Sequence, residues 1–524
     1  MSLLLLFRDN IPHEYWDWRW HVYIDVNNDG DYECDESNRL LFPLRIERGR
    51  EGFLETPSVG RLELSLQNQD RRYDHWLRES PFYPDGLVGC RIKVVVNTRL
   101  NGSITLFTGR IAELNSTAIR ATGATGTFPR RCRIIAYDGW HWLQRKKVNI
   151  ELKEDISTRD AILQILDAVG WASVAGAFTL DVSALDSTAR LGGLYYDNVD
   201  LGNDPGDNIP YWWTGKDENA MQAIIDLVQS NFGRVQINAD GKFVFRARHG
   251  DNLSPVDAMI TDAILQECTI KYPWAEMANR VQIRANPRVL SDITDVWTCS
   301  DVLTIPPGET RRVLAEFADP NGTSAPAKDI SIPVAGTDYV ANSEPDGSGS
   351  DLTSFVTITM NDYGTNAELS ISNGAQRTAY MTLLKLRGRL IQALDTQSAE
   401  AYDVTSIEKY GEQLLSRDLR WQQSTEFAQS MSDWLLSWLK DAPMPVVELL
   451  FESNLTALQL ELGHKIIDDT SQGTGLEYRV GKIVHEVNES GGQQIFSTIH
   501  LYRIPPENYF TLDISALDNA MIGL

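Results

Sequence analysis

The 524-residue chain is 42% hydrophobic and carries 72 acidic against 48 basic side chains, a formal charge of −24 at pH 7. That length predicts three or four domains, and the charge argues against a protein that grips nucleic acid by its phosphates, although DNA can still pass an acidic wall. Cys34, Cys90, Cys132, Cys268 and Cys299 are odd in number and form no C-x-x-C pair, which argues against a disulfide framework or a zinc site and for a reduced, cytosol-assembled protein. The apolar run Met1–Phe7 stops at Arg8, too short for a signal-peptide core or a membrane span, so the expectation is a protein soluble when made and without a membrane anchor.

In chain order, Trp16, Trp18 and Trp20 alternate with Asp17 and Arg19 and lead into His21–Ile24, the pattern of a strand with an aromatic face. Tryptophans packing a sheet are a better reading of it than a sugar platform. The next stretch, Asp25 to Glu36, satisfies D-x-[DN]-x-[DN]-G-x₅-E in full. Hard oxygens at alternate positions can converge on Ca2+, the glycine permits a sharp turn, and a final glutamate can bind in bidentate fashion. Asp25, Asn27, Asp29, Asp31 and Glu36 are the candidate ligands of a structural calcium ion. A strand precedes the loop, so it is no helix-loop-helix. The same residues are also what a tight Asn-Asp-Gly hairpin demands, and the two readings stand side by side.

From Val59 the sequence alternates strictly, with Leu62, Leu64 and Leu66 on one face and Arg61, Glu63, Ser65 and Gln67 on the other, a half-buried strand. Asn68 to Trp76 then reads N-x-D-x-x-Y-D-x-W, Ser80-Pro81-Phe82-Tyr83 forms a loop, Arg91–Val96 is a strand, and Phe107-Thr108-Gly109-Arg110-Ile111 lies in another. Arg130–Asp138 and Trp140-His141-Trp142 complete the β domain. This succession resembles the N-terminal domain of siphophage tail-tip proteins. Arg71, Arg72, Asp74 and His75 are read as a solvated loop, since one histidine without a positioned partner is weak evidence for catalysis.

Ser157 and Asp160 stand in capping-box spacing before a helix to Gly170 whose apolar face carries Ile162, Leu163, Ile165, Leu166 and Val169. Tyr211-Trp212-Trp213 precedes a second helix over 217–232, stopped by Gly233, and Val235–Arg248 reads as a hairpin turning at Ala239–Lys242 with Phe243 and Phe245 on one side. This helix-then-hairpin unit also looks like the middle segment of tail hub proteins. From about Val296 to Arg389, short strands are separated by turn clusters such as Glu344–Gly349, the pattern of a small β-sandwich. Hub-like sequence flanks it, so it reads as an insertion, similar to inserted β domains in the same family.

After a short β-like run at Val404 and Ile407, Ser424 or Thr425 can cap a helix with Phe427, Met431, Trp434, Leu435 and Trp438 on one stripe. Pro443 and Pro445 stop it, and Val446–Phe451 reads as a strand buried on both faces. The order Ser406–Glu412, Ala428, Trp434-Leu435-Leu436, Pro443, strand resembles the C-terminal hub region of phage tail-tip and baseplate-hub proteins, a resemblance that implies a helix bracing a small β-barrel stacked on the tail tube. Strands are expected over Leu455–Leu462, Leu476–Glu486 and Gln493–Arg503. His485-Glu486 fails the H-E-x-x-H metalloprotease pattern because Glu489 replaces the second histidine, and Gly475–Lys482 misses the phosphate-loop spacing, with Ile483 where Ser or Thr is needed. Phe178–Asp186 (FTLDVSALD) recurs as Phe510–Asp518 (FTLDISALD), too isolated for a solenoid repeat. Two equivalent docking pieces are one reading, local duplication without function the other.

The expected fold is mainly β with a few helices, an α+β chain of several small β-barrel or β-sandwich domains. The divisions are 1–150, an N-terminal β domain with the acidic loop; 151–265, helix plus hairpin; 266–295 with 390–508, a second hub β-barrel with its bracing helix at 424–440; 296–389, the inserted β-sandwich; and 509–524, a tail. The resemblance to siphophage tail-tip and baseplate-hub proteins implies a non-enzymatic virion protein, made in the host cytoplasm. It would close the tail tube at the tail tip and link it to host-recognition proteins while DNA passes through a lumen. Its implied partners are copies of itself, as a homotrimer, the tail-tube or distal tail ring, the tape measure and receptor-binding proteins. The alternative is a calcium-dependent adhesin or carbohydrate binder resting on Trp16, Trp18, Trp20, Trp212 and Trp213 with the acidic loop. A cell-wall hydrolase needs a pair of carboxylates that the sequence does not single out.

Overall fold

Alternation in sequence becomes alternation in burial. In the strand Arg61–Gln67, Leu62, Leu64 and Leu66 are fully buried, and in Arg19–Asp25 the buried face is Trp20, Val22 and Ile24. Each such side chain contributes roughly 1.5–3 kcal/mol by leaving water. The structure, a computed structural model, describes residues 18–52, 54–98, 102–118, 130–171, 199–202, 204–215, 217–248, 256–274, 277–318, 322, 324–441, 445–471, 475–488 and 494–504. The fold is mainly β with a few helices, distributed over several sheets.

The largest sheet has 13 strands among the described residues. One half is the N-terminal module, in which Arg19–Asp25, Arg91–Thr98, Gly102–Ala118, Arg130–Tyr137, Arg61–Gln67 and Leu40–Gly49 pair antiparallel in that spatial order. The other half is Glu477–Val487, Ile495–Arg503, Val446–Glu452 and Glu267–Lys271. The halves are one sheet because Leu40–Gly49 pairs with Glu477–Val487, Leu44 opposite Val487 and Gly49 opposite Lys482. Their cores meet there, and Val487 and Ile495 pack with the N-terminal cluster. No Cβ fits at Gly49: it would lie 2.1 Å from the Gly481 carbonyl oxygen, and the residue has φ +94°.

Three further units complete the described fold. The middle unit packs helices Thr158–Ala168 and Ala220–Asn231 with the hairpin Arg234–Ile237 and Phe243–Arg246 around Trp140, Trp171, Trp212, Phe243 and Phe245. Ser157 caps the first helix by accepting from the Asp160 amide at 3.1 Å, as its spacing predicts. The second helix starts later than 217, at Ala220, because Asn219 is its cap, and it ends on Phe232 in the left-handed conformation.

The helix Thr425–Leu439 begins at the Ser424 cap and buries Met431, Trp434 and Leu435. It lies on a separate three-stranded sheet of Gln397–Tyr402, Arg280–Ala285 and Leu414–Leu419. The segment expected to be a second barrel, 266–295 with 390–508, is therefore divided. Some of its strands extend the large sheet and others form this smaller one.

The sandwich rides on the ribbon Arg288–Thr298 and Ala379–Ala393, with Thr310–Glu316, Val356–Asp362 and Asn366–Asn373 as its second sheet. Four local expectations are corrected. Val404–Tyr410 is a helix, because Asp403 accepts from the Ser406 amide at 2.9 Å and offers an N-cap that outweighs the β-branched Val404 and Ile407. Asn454 likewise caps a helix at Leu455–Gln459 where a strand was expected. Val446–Glu452 buries one face only, through Val447, Leu449 and Phe451. The segment 71–75 is not simply solvated, since Tyr73 and Asp74 are buried.

Candidate functional site

The acidic loop closes on its first residue. Asp25, fully buried, accepts from the Asp29 amide at 3.2 Å and the Gly30 amide at 2.9 Å, and Arg91 lies 3.6 Å from its carboxylate. Asn27 donates its side-chain amide to Asp29, and Asp31 sends its backbone amide to the same carboxylate. The carboxylates that come together are Asp25, Asp29 and Glu33, with ligand oxygens within 4.8 Å of one another. Glu33 also accepts from the Val26 amide at 3.0 Å. Donors of this kind, all hard oxygens, suit a hard cation.

Glu36 is elsewhere. Its carboxylate is buried, accepts from Tyr73 Oη at 2.5 Å and Arg72 Nε at 2.8 Å, and has Arg39 at 3.5 Å. Burial and the neighbouring Glu36 charge push the Tyr73 hydroxyl far above its ordinary value. The loop segment continues this network. Asn68 bonds Asp74 at 3.0 Å and Arg71 pairs with Asp74 at 2.9 Å, so the N-x-D-x-x-Y-D residues are spent on fastening a turn.

Beside the acidic loop, whose Tyr32 helps to line it, a cavity of about 440 Å³ opens between the strands of the first module, the short helix Gly139–Leu143 and the hairpin turn at Asp240-Gly241. Arg91, Lys93, Arg110 and Arg145 line it, against the acidic Asp138 and Asp240. Aromatic wall comes from Tyr137, Trp142 and Trp171, and the last two meet edge to face at 5.9 Å. Burial and the adjacent Arg91 charge hold the Arg110 guanidinium below its ordinary value. Arg110 donates to Asn28 Oδ1 at 3.0 Å and to the Gly89 carbonyl at 2.8 Å. Lys93 and Arg145 make no ion pair with a carboxylate of the described residues. Asp138 caps the short helix through the Trp140 amide and also accepts from the Gly60 amide. Burial outweighs both donors and raises its carboxyl to about 7.

The described tryptophans of the adhesin alternative do not form a platform. Trp20 and Trp212 are buried, and Trp213 stacks edge to face on Trp421 at 5.1 Å under the Arg288 guanidinium. Trp16 and both copies of the F-T-L-D-x-S-A-L-D sequence lie outside the described residues. His485 is buried, shares a 2.8 Å hydrogen bond with Ser497 Oγ, and is driven down to about 3 by burial. All five cysteines are free thiols. Among the described residues no helix is long and apolar enough to cross a membrane. Sequence reasoning missed Glu33 and the Lys93–Arg145 pair. Glu33 is a non-motif position, and the two cations line one cavity because the first module packs against the segment that carries the helix Gly139–Leu143 and Arg145.

No family model matches the sequence, and no curated protein matches it. In structure the chain is similar to a 43 kDa tail protein from a Shewanella oneidensis prophage, at 10% identity over 93% of this chain and 99% of that one, with a TM-score of 0.46. It is similar as well to the tail protein from Neisseria meningitidis, at 9% identity over 93% and 96% with a TM-score of 0.47. A prophage tail protein from Listeria monocytogenes matches at 10% identity over 92% and 94%, with a TM-score of 0.39. All three are tail proteins.

Proposed function

We propose that this chain is a structural hub of a phage tail, a ring of three copies that closes the tail tube at the tail tip, lets DNA through and carries the host-recognition proteins. The observation that carries the reading is the seam between Leu40–Gly49 and Glu477–Val487, which fuses two β modules into one broad sheet within each copy. A protein with that build has extended β surface to offer neighbours, and the sequence blocks 68–76, 107–111 and 406–451 resemble hub proteins in the same order. Self-association is also supported by exposed apolar side chains at one end of the three-stranded sheet. Arg280 pairs with both Tyr402 and Leu414, and these, with Val404, Trp274 and Tyr272, are about half exposed or more. The net charge of −24 suits a lumen that repels phosphates.

The acidic loop then serves as a brace, with calcium held by Asp25, Asp29 and Glu33 and with Asn27 and Asp31 beside them. Native mass measurement of the purified protein and electron microscopy of particles test the reading. A trimer located at the tail tip is expected; a chain that stays monomeric at high concentration and is absent from virions would overturn it.

A further inference from the structure

We propose that the cavity of about 440 Å³ between the first β module and the helix Gly139–Leu143 binds a small phosphate monoester carried on a flat apolar ring. The charge of the site sets the class of ligand. Lys93 and Arg145 line the cavity and have no carboxylate partner among the described residues, in a chain of net charge −24. Most of the remaining charged wall is already engaged. Arg110 donates to Asn28 and to the Gly89 carbonyl, Arg91 lies 3.6 Å from Asp25, and the Asp138 carboxylate accepts from the Gly60 and Trp140 amides. Lys93 and Arg145 are thus the two charges left to a ligand, against one exposed carboxylate, Asp240. A phosphate monoester brings a charge of about −1.5 to −2 near pH 7 and several acceptor oxygens, which suit an ammonium and a guanidinium donor together.

The wall sets the shape. Tyr137, Trp142 and Trp171 give the cavity flat apolar surface, and their rings are held in place: Tyr137 stacks on His141 at 4.7 Å, and Trp142 meets Trp171 edge to face at 5.9 Å. Fixed aromatic surface favours a planar ring, because little side-chain freedom is given up on binding. The volume lies in the range of small-molecule sites. Lys93 is positioned as well, with its ammonium 5.9 Å from the centroid of the Tyr32 ring, which also lines the cavity. A nucleic-acid strand fits less well: one phosphate would meet Lys93 and Arg145, and the others would run over the surface of an acidic chain. All of these residues lie in a single copy, so the proposal does not rest on how copies assemble.

Isothermal titration calorimetry of the full-length protein tests the proposal with phenyl phosphate, inorganic phosphate and benzyl alcohol as probes. Saturable binding of phenyl phosphate is expected, about tenfold tighter than that of inorganic phosphate, with no measurable binding of benzyl alcohol. Lys93→Ala and Arg145→Ala should each weaken phenyl phosphate by about tenfold. Both variants should keep the wild-type circular dichroism spectrum and Tm, since neither cation has an ion-pair partner in the fold to lose. Asp240→Asn should tighten phenyl phosphate by about two- to fivefold, a gain that misfolding would not give. Absence of saturable phenyl phosphate binding in the wild type, affinity unchanged in both cation variants, or weaker binding in Asp240→Asn would each overturn it. So would equal affinity for inorganic phosphate, which would leave the ring without a role, or benzyl alcohol binding as tightly as phenyl phosphate, which would leave the cations without one.

Discussion

Arg45 and Glu486, 441 positions apart in sequence, form an ion pair across the seam that joins the two halves of the large sheet. Both side chains are about half exposed, so the pair itself contributes little, about 0.2–1 kcal/mol. The seam is held by backbone pairing and by what lies beneath it. Gly49, opposite Lys482, has no room for a Cβ against the Gly481 carbonyl and adopts φ +94°. Gly49→Ala should therefore cost about 2–4 kcal/mol, several times more than Arg45→Ala, in denaturant unfolding. Equal losses from the two substitutions would mean that the seam yields to relieve the clash.

A buried histidine on the same strand ties stability to pH. His485 has a folded-state value near 3 against an ordinary 6.5, so between those pH values the unfolded chain binds a proton that the folded chain refuses. The stabilisation is complete above pH 6.5 and is lost as pH falls toward 3, on the order of 5 kcal/mol for the whole shift. Asp138 works in the opposite sense. Its raised value adds stability at low pH that is lost as pH rises from about 4 to 7. His485→Gln keeps a partner for Ser497 and removes only the first effect. The variant's stability against pH, measured by urea unfolding, should show a flatter acid limb than the wild type. Parallel limbs would place the histidine's proton uptake elsewhere.

Much of the fold was legible because periodicity survives folding. The Leu62–Leu64–Leu66 alternation, the Ser157 and Ser424 caps and the stripe from Met431 to Leu435 all appear where their spacing places them. The errors fall where a single cap overrides residue preference, as Asp403 and Asn454 do, or where pairing spans hundreds of residues, as it does at the seam. The candidate site was half legible. Asp25 and Asp29 come together as the motif implies, while Glu36 is drawn inward by Arg72 and Tyr73, partners that the spacing of the loop alone does not reveal.

The apolar end of the three-stranded sheet should matter to assembly and not to folding. Tyr402 is 60% exposed on an edge strand, and Trp274 is 49% exposed with its ring against Tyr410 at 5.9 Å. If the chain forms the proposed trimer, Tyr402→Glu should shift its native mass to that of a monomer while changing the unfolding free energy of the isolated chain by no more than about 0.5 kcal/mol. A trimer that survives the substitution would remove this surface from the interface.

The proposed calcium site in the acidic loop separates two kinds of carboxylate. Asp25, Asp29 and Glu33 bring three carboxylates within 4.8 Å, an arrangement whose mutual repulsion a divalent cation would relieve. Glu36 is already neutralised by Arg72 and Arg39 and hydrogen-bonded to Tyr73, so it has no need of one. Calcium at millimolar concentration should raise the wild-type Tm above its value in chelator. Glu33→Gln should abolish that increment while leaving the chelated Tm nearly unchanged. Glu36→Gln should do the reverse: it strands the buried ends of Arg72 and Tyr73, costs about 3–5 kcal/mol with or without calcium, and keeps the increment. If the increment disappears with Glu36→Gln and persists with Glu33→Gln, the loop rearranges to the spacing of the sequence motif when the ion binds. If the wild type shows no increment, the loop is a hairpin turn whose carboxylates are satisfied by its own amides and by Arg91.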